Sequence, residues 1–565
     1  MSSHYDVQSR PPFVVLFASA VQHMGLMAVT LVFPLLVAKA AGADDSARAQ
    51  YVAFGMLAMG VATLLQAWGK PIFGSPRVGS GFLLPSVFTA AYLPAALVAA
   101  QSGGLGAVAG LTIVAGLTEI VLSRFIVRLR PYCPIEIVGL VVLLIGIILG
   151  ILALKLMVGY GGDMPSPPDD IGGAMIALVV MIGCSVWAGP RMRTLAVLLG
   201  LIAGTAFHFA FELEGVIEDM TNLGWTAIPT WPLAVPSFEA SLLPGFLAGA
   251  VACTVRGFGD IVASQRANDL EWKRPDYASV EAGVLADGIG TFLAGLIGTM
   301  GLSTYSASVG LSVATQVRSR RVGIAVGLGW LCLGLFPGSS SAMLAIPENV
   351  LGAALLFASA FIVLSGTSIL GQRLVDGRRT IAVGLGFIVG LSFDQMPAVY
   401  AQHLPSTLHS VLNSSLVLGL LTALVLNALF RIGDHQSYRF VWQPADGLPP
   451  LETFLLESGS QAGARADAVG RLVLLAEEFS QAASELSAQT PITVSARFDE
   501  YMLDLSFTWQ GRPLLPGPPP SLDPDADDEA AIDGIVLILM QRLAYRLTQS
   551  HRADGRQELT CRVDQ

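Results

Sequence analysis

Apolar stretches of about 20 residues recur along the first three quarters of the chain, and this pattern most constrains the fold. A helix that crosses the hydrocarbon core of a bilayer needs about 20 mostly apolar residues. The stretches that meet this requirement are at about 13–37, 50–69, 104–123, 135–157, 173–189, 194–211, 242–263, 279–300, 322–338, 350–371, 380–396 and 409–430. Two more, about 79–98 and 302–316, are apolar but rich in Gly, Ser and Pro. We therefore predict an all-α polytopic membrane protein with fourteen transmembrane segments.

The composition excludes two large classes of protein. Only 13% of the residues are charged, whereas soluble globular proteins carry about 25%. So few charges, together with 60 glycines, exclude an ordinary soluble enzyme and a disordered chain. The sequence shows no phosphate-binding loop, nucleophile elbow or metal-ligand motif. We predict no enzymatic activity, no metal, no nucleic-acid partner and no cofactor beyond a coupling H⁺ or Na⁺.

Charge divides the chain into two parts. Residues 1–445 contain 23 basic and 23 acidic residues, whereas residues 446–565 contain nine Arg, no Lys and nineteen acidic residues. The tail therefore carries the whole net charge of −10. We predict four regions: an N-terminus at 1–12, a membrane domain at 13–432, a linker at 433–450 and a small soluble α+β domain at 451–565.

The loops between the predicted spans indicate an orientation. Even-numbered loops contain sixteen basic residues, whereas odd-numbered loops contain only Lys39, Arg48 and Lys155. Loops rich in Lys and Arg stay on the cytoplasmic side of a membrane. This asymmetry predicts a multi-pass protein of the inner membrane with both termini, and hence the acidic tail, in the cytoplasm.

The two Gly-rich segments are the strongest sequence sign of a binding site. They include residues 79–85 and 301–310 and are third and tenth in order. Non-helical backbone at membrane depth occurs where it is buried in protein or lines a cavity. Broken segments at matching places in two halves indicate a transporter with its site near the midplane. The alternative is a pair of kinked packing helices.

Several motifs resemble those of the nucleobase–ascorbate transporter family, which includes xanthine and uracil permeases. The pair Gln22-His23 is similar to the family's first-span motif. The run that begins Asp287-Gly-Ile-Gly-Thr and continues to Ser303-Thr-Tyr is similar to its ninth and tenth segments. Ile346-Pro-Glu-Asn-Val-Leu-Gly-Ala, followed by Gly366-Thr-Ser-Ile-Leu, is similar to its twelfth segment.

The resemblance covers about residues 13–430 and has definite implications for the fold. It implies two inverted repeats of seven segments, at about 13–215 and 240–432, which form a core domain and a gate domain. It also implies short strand-like breaks in segments 3 and 10, with the substrate between them. Members of the family are often homodimers and move the core against the gate, as in an elevator.

The sequence departs from the family pattern at its principal base-reading positions. The eighth segment usually carries a Glu where this chain has Arg256, four residues before Asp260. The tenth usually carries Glu or Gln followed by Asn, where this chain has Ala307 and Ser308. An Arg only donates hydrogen bonds and keeps its charge. Arg256 therefore favours an anionic or carbonyl-rich ligand, although an ion pair with Asp260 is an equally weighted alternative.

Each remaining candidate residue has a purely structural interpretation as well as a functional one. If the family role carries over, His23 stabilises the site and would be a proton acceptor near neutral pH, and a core histidine that only satisfies its own hydrogen bonds is an equally weighted alternative. The resemblance also implies that Gln22 and Phe82 line or stabilise the site. Thr304 and Ser308 would donate hydroxyls, although hydroxyls that only pack helices together are more common. Glu119 and Asp287 are further acidic residues within spans, and we expect Asp287 to tie helices together rather than to bind substrate.

The tail resembles a degenerate form of the small ATPase domains of anti-sigma factors and histidine kinases. The similar runs begin at Arg471, Leu503 and Asp533, and the third lies in a helix that we predict at 531–549. The metal-holding Asn of that family falls at Ala482 and the adenine-reading Asp at Trp509. The resemblance implies a regulatory or dimer-forming domain that does not hydrolyse ATP, and an unrelated α+β domain is the alternative.

These observations lead to one functional prediction and two alternatives. We expect a secondary-active transporter in the lipid bilayer for a nucleobase-like solute, such as an oxidised purine (xanthine or urate) or another small organic anion. One alternative is a transporter-derived sensor that signals to a cytoplasmic regulatory partner through the tail. The other is a conventional uracil or xanthine proton symporter.

Overall fold

Helices occupy most of the predicted spans in the computed structural model. The structure describes all residues except 1–4, 72–75, 130–134, 160–167, 190–191, 193–194, 212–234, 270–274, 337, 341–344, 372–376, 397, 401–414, 431–435, 487–489, 499–501, 515–527, 553–554 and 565. Two units are distinguished: Met1–Cys133 with Ile137–Thr367 and Gly386–Thr422, and Pro134–Glu136 with Ser368–Leu385 and Ala423–Gln565.

Fourteen helices of the described residues precede the tail. They are α1 Phe13–Ala28, α2 Val32–Ala40, α3 Asp45–Trp68, α4 Leu93–Leu129, α5 Ile135–Val158, α6 Pro168–Val186, α7 Ala196–Phe211, α8 Leu243–Asn268, α9 Tyr277–Leu296, α10 Ser306–Thr315, α11 Arg320–Leu335, α12 Glu348–Leu370, α13 Gly377–Gln395 and α14 Ser415–Phe430. A 3₁₀ turn, Val29–Leu31, joins α1 to α2, and Gly104 interrupts α4 with a non-helical φ of 66°. In the described part of the chain, seven helices are long and apolar enough to cross a membrane.

Short strands interrupt the membrane domain at the two Gly-rich segments. A two-residue pair, β1 Lys70–Pro71 with β2 Arg77–Val78, precedes the first of them. Strand β3 Ser86–Phe88 pairs antiparallel with β4 Leu302–Thr304, and all six residues are buried. Tyr305 N extends the pairing by donating to the Pro85 carbonyl at 3.0 Å. Each strand is followed by a helix, α4 after β3 and α10 after β4.

Glycine is required where the first broken segment turns toward β3. Gly79 adopts a φ of 88°, and a Cβ there would lie 2.0 Å from the Leu65 carbonyl oxygen. Gly81 adopts a φ of 82°. Side chains rarely tolerate this left-handed region, so these glycines let the chain pass close to α3.

The N-terminal residues pack beside the end of α10. Tyr5 N donates to the Gln316 carbonyl at 3.1 Å, and Arg318 N donates to the Tyr5 carbonyl at 2.8 Å. The Ser319 hydroxyl donates to the Ser9 carbonyl at 2.8 Å. Residues 5–9 therefore hold the turn between α10 and α11.

Helices α4 and α9 approach each other backbone to backbone. A Cβ on Gly116 of α4 would lie 2.3 Å from Phe292 N, and one on Gly295 of α9 would lie 2.6 Å from Ile113 N. Small residues at such contacts let membrane helices approach closely. The glycines therefore set the spacing of the two helices.

Replacing Gly295 with Ala should destabilise the membrane domain. The new methyl group meets backbone atoms that cannot rotate away, so we expect a cost of about 1–3 kcal/mol. Thermal unfolding of the purified protein measures it. Gly384→Ala in α13 is the matched control because no atom lies within 4 Å of its Cβ position; equal unfolding temperatures for the two variants would contradict the close approach.

The tail forms an antiparallel sheet with helices packed against it. The strands are β5 Gln436–Trp442, β6 Ile492–Phe498, β7 Met502–Trp509, β8 Arg546–His551 and β9 Gln557–Asp564, in the order β5-β6-β7-β9-β8. The helices are α15 Pro449–Gln461, α16 Ala466–Leu486 and α17 Asp528–Leu543. Phe479 stacks on Phe507 with ring centroids 4.0 Å apart in a core that also includes Trp442. Burial raises the pKa of the Cys561 thiol, which makes it a poor nucleophile.

The structure of the tail differs from the sequence prediction at two boundaries. Strand β5 lies within residues 433–450, which we predicted as a linker, so the folded domain begins at Gln436 rather than 451. The aromatic residues of β5 alternate at positions 438, 440 and 442, and this period of two was the overlooked sign of a strand. A helix expected at 531–549 ends at Leu543, because pairing with β9 takes Arg546–His551 into the sheet.

Candidate functional site

Asp260 of α8 is the centre of a buried polar group of residues. Its Oδ2 accepts a hydrogen bond from the Thr304 hydroxyl at 2.7 Å, and its Oδ1 accepts one from the Ser306 hydroxyl at 2.6 Å. Thr304 ends β4 and Ser306 begins α10. The positive end of the α10 dipole further stabilises a carboxylate at this place. Asp260 thereby fixes the start of the helix that follows the broken segment.

Arg256 lies one helical turn before Asp260 and contacts it. Its Nε is 3.8 Å from Asp260 Oδ2, and its Nη1 is 3.4 Å from the Thr89 hydroxyl. The ion pair considered as an alternative is therefore present. The Arg256 side chain is 24% exposed against 9% for Asp260, so part of the guanidinium is accessible.

His23 and Ser308 form a second polar contact on α10. The Ser308 hydroxyl lies 2.6 Å from His23 Nδ1, and both residues are buried. The contact joins α1 to α10, and its two residues are 285 positions apart in sequence. It brings together two of the residues that the family resemblance implied.

Asp287 of α9 is bound to the strand rather than to an open space. The Ser303 hydroxyl donates to Asp287 Oδ2 at 2.9 Å, and the Thr291 hydroxyl donates to the Leu302 carbonyl at 2.9 Å. Side chains of α9 thus hold β4 in place, which agrees with the expectation that Asp287 ties elements together.

Three predicted residues do not join these contacts. In the described part of the chain, no hydrogen bond or ion pair connects the side chain of Gln22, Phe82 or Ala307 to the Asp260 group or to His23. Gln22 and Phe82 are half-buried, and Ala307 is exposed on α10. Gly259 and Gly310 are also exposed, and a Cβ on either would meet no atom within 4 Å. These exposed positions of α8 and α10 therefore carry small residues.

A supporting amide and two hydroxyl groups beside these contacts were not predicted from the sequence. Gln66 of α3 donates to the Gly283 carbonyl at 2.7 Å and accepts from Ser80 N at 3.3 Å, which fixes the first broken segment. Thr89 contacts Arg256, and the Tyr92 hydroxyl donates to Glu119. A Gln within an apolar span was the available sign for the first, since buried polar groups in spans are seldom without a role.

This arrangement defines a class of protein: a polytopic membrane protein in which two broken segments meet beside buried polar residues. A family model for xanthine/uracil permeases, described as "Permease family", matches residues 15–399. The chain belongs to this family. Its relatives are permeases, in agreement with the prediction that the protein is not an enzyme.

The similarity to individual relatives extends over most of each relative's length. Xanthine permease XanP of Escherichia coli (strain K12) is 28% identical over 75% of this chain and 94% of its own. Uric acid permease PucK of Bacillus subtilis (strain 168) is 26% identical over 74% of this chain and 95% of its own. Among solved structures, the transmembrane domain of the cyanobacterial bicarbonate transporter BicA matches 75% of this chain and 99% of that chain, with 18% identity and a TM-score of 0.45.

Thr304→Val should destabilise the junction between β4 and α10. The substitution keeps the shape of the side chain but removes a donor to the buried Asp260 carboxylate, so we expect a loss of about 1–3 kcal/mol. Thermal unfolding in detergent measures it. Thr367→Val is the control, because the exposed Thr367 hydroxyl donates only within its own helix, to the Leu364 carbonyl; an equal effect of both substitutions would refute the assignment.

Proposed function

We propose that the protein is a secondary-active transporter of a nucleobase-like solute, specifically an oxidised purine such as xanthine or urate, or another small organic anion. The observation that carries this proposal is the partly exposed Arg256 beside the two broken segments. The relatives named as xanthine and uric acid permeases support the purine class.

The contacts of Arg256 support a role in binding an anion. Both Asp260 oxygens already accept hydrogen bonds from hydroxyl groups, so this carboxylate balances the Arg256 charge from a fixed position. A guanidinium has five N–H donors, and the contacts among the described residues use Nε and Nη1. The Nη2 donors are left for a carbonyl or anionic oxygen of the solute. His23 of α1 and Ser308 of α10 supply a further polar contact, and α10 also carries Ser306, which donates to Asp260.

The transport cycle is part of the same proposal. We infer fourteen transmembrane segments in two inverted repeats, with α4 divided at Gly104 into the end of the third segment and the fourth. The core then moves against the gate in an elevator-like way within a homodimer, and both termini are cytoplasmic. The tail positions that match nucleotide-binding residues, Ala482 and Trp509, are both in the hydrophobic core, which favours a regulatory domain over an ATPase.

Arg256→Glu should change the solute preference. The substitution removes the only cation paired with Asp260 among the described residues and places two carboxylates one turn apart. We expect urate and xanthine uptake to fall at least about tenfold, since a hydrogen bond to a charged group contributes roughly 1.5–3 kcal/mol. Uptake of labelled xanthine, urate and uracil into proteoliposomes measures it.

Arg321→Glu at the exposed start of α11 is the matched control and should leave the profile unchanged. If the Arg256→Glu variant takes up all three compounds at the same rates as the unchanged protein, the proposed role of Arg256 in solute selection is wrong. A gain of uracil uptake with proton coupling would favour the conventional symporter.

The folded tail domain supports one competing function, a membrane sensor. Deletion of residues 436–565 removes the whole sheet, and a transporter with an accessory domain should keep its uptake of labelled xanthine and urate. A sensor should bind solute without net uptake in either form. Solute binding measured by isothermal titration alongside uptake separates these results.

A further inference from the structure

Two groups of helices can be distinguished in the membrane domain by their close contacts. In the first group, a Cβ on Gly60 of α3 would lie 2.8 Å from the Gly327 carbonyl oxygen of α11. A Cβ on Gly290 of α9 would lie 2.7 Å from the Ala62 Cβ of α3. Helix α4 packs on α9, and α2 packs on both α3 and α4. Because small residues let these helices approach closely, α2 is part of a tightly packed group.

Helix α12 belongs to the second group, together with α5. A Cβ on Gly352 would lie 2.7 Å from Met157 N, and one on Gly366 would lie 2.6 Å from Leu143 N. The Asn349 side-chain amide donates to the Met157 carbonyl at 3.1 Å. These contacts run along both helices, from the start of α12 at the end of α5 to the opposite ends. The position of the first turn of α12 is therefore set by α5.

An ion pair connects α2 of the first group to α12 of the second. Lys39 Nζ donates to Glu348 Oε1, and the two residues are 309 positions apart in sequence. Lys39 lies in the last turn of α2, and Glu348 is the first residue of α12. The helix dipole stabilises a cation at a helix C-terminus and an anion at a helix N-terminus. Both helix ends therefore favour this arrangement of charges over the reverse one.

The ion pair is weak enough to open and close. The Lys39 side chain is 49% exposed and the Glu348 side chain is 42% exposed. An ion pair between exposed side chains shifts an equilibrium by at most about fivefold, because water solvates both charges when they separate. The contact therefore favours one arrangement of the two helix groups without locking it, unlike the backbone approaches within each group.

We propose that Lys39 and Glu348 form a latch between the two helix groups, and that this latch opens in each transport cycle. The inference rests on the proposed movement of core against gate, with α2 in the moving core and α12 in the gate. A displacement of α2 along α12 by one helical turn, about 5.4 Å, separates the two charges beyond contact. In the proposed orientation the latch is at the outer end of the domain, because the loops after α2 and before α12 are poor in basic residues.

Carbodiimide cross-linking of the full-length protein in proteoliposomes tests the latch. The reagent joins the amine of Lys39 to the carboxyl of Glu348 as an amide and leaves as a urea, and mass spectrometry identifies the linked peptides. Only four lysines occur in the whole sequence, so few other amides of this kind can form. A covalent bond cannot open, so uptake of labelled xanthine and urate should fall in proportion to the fraction of protein that carries the Lys39–Glu348 amide.

Lys39→Arg is the matched control, because a guanidinium keeps the positive charge but does not form the amide. The treated Lys39→Arg variant should keep its uptake, and Glu348→Gln serves in its place if that variant folds poorly. Undiminished uptake by the cross-linked protein, or an equal loss in the treated control, overturns the latch, and so does absence of the amide in the unchanged protein. If the untreated protein takes up no xanthine, urate or uracil, the proposed function fails instead, while amide formation still decides whether the two helices are paired.

Discussion

The backbone pairing of β3 with β4 is the constraint on which the membrane domain depends. Peptide groups inside a bilayer have no water to bind, so a break in a spanning helix must be satisfied by other protein groups. Here the two broken segments satisfy each other's backbone hydrogen bonds. The paired residues run from Ser86 with Thr304 to Phe88 with Leu302. Each segment depends on the other for its backbone hydrogen bonds, which ties the first half of the domain to the second at the place where the buried polar side chains gather.

Small residues around the strands let the surrounding helices approach them. Gly79 passes against α3, Gly116 and Gly295 bring α4 onto α9, and Gly249 and Gly301 hold the Tyr92 ring. Once backbones are this close, polar side chains such as Asp287 and Gln66 reach carbonyls and hydroxyls of the neighbouring element. The high glycine content thus has a specific purpose: it creates the short distances across which buried polar groups find partners.

Apolar length and motif spacing predicted most of the fold because both are local properties. The helices, the two broken segments and the polar residues at 256, 260, 304 and 308 could be located in this way. The contacts among them depend on neighbours far apart in sequence, such as Ser308 with His23 or Tyr92 with Glu119, and no local pattern encodes those partners. In the tail, the predicted helix after Asp533 ended early because β8 pairs with β9, a tertiary preference that overrides the local one.

The segment at residues 5–9 has a consequence for the precision of the site. Helix α10 is only ten residues long, about 15 Å. Its beginning is bound to Asp260, and the turn at its end is bound by Tyr5 and Ser9. A short helix clamped at both ends has little freedom to tilt, so under the proposed transport function Ser306 and Ser308 are preorganised for the solute. Preorganisation lowers the entropic cost of binding and favours discrimination by shape over adaptation to many solutes.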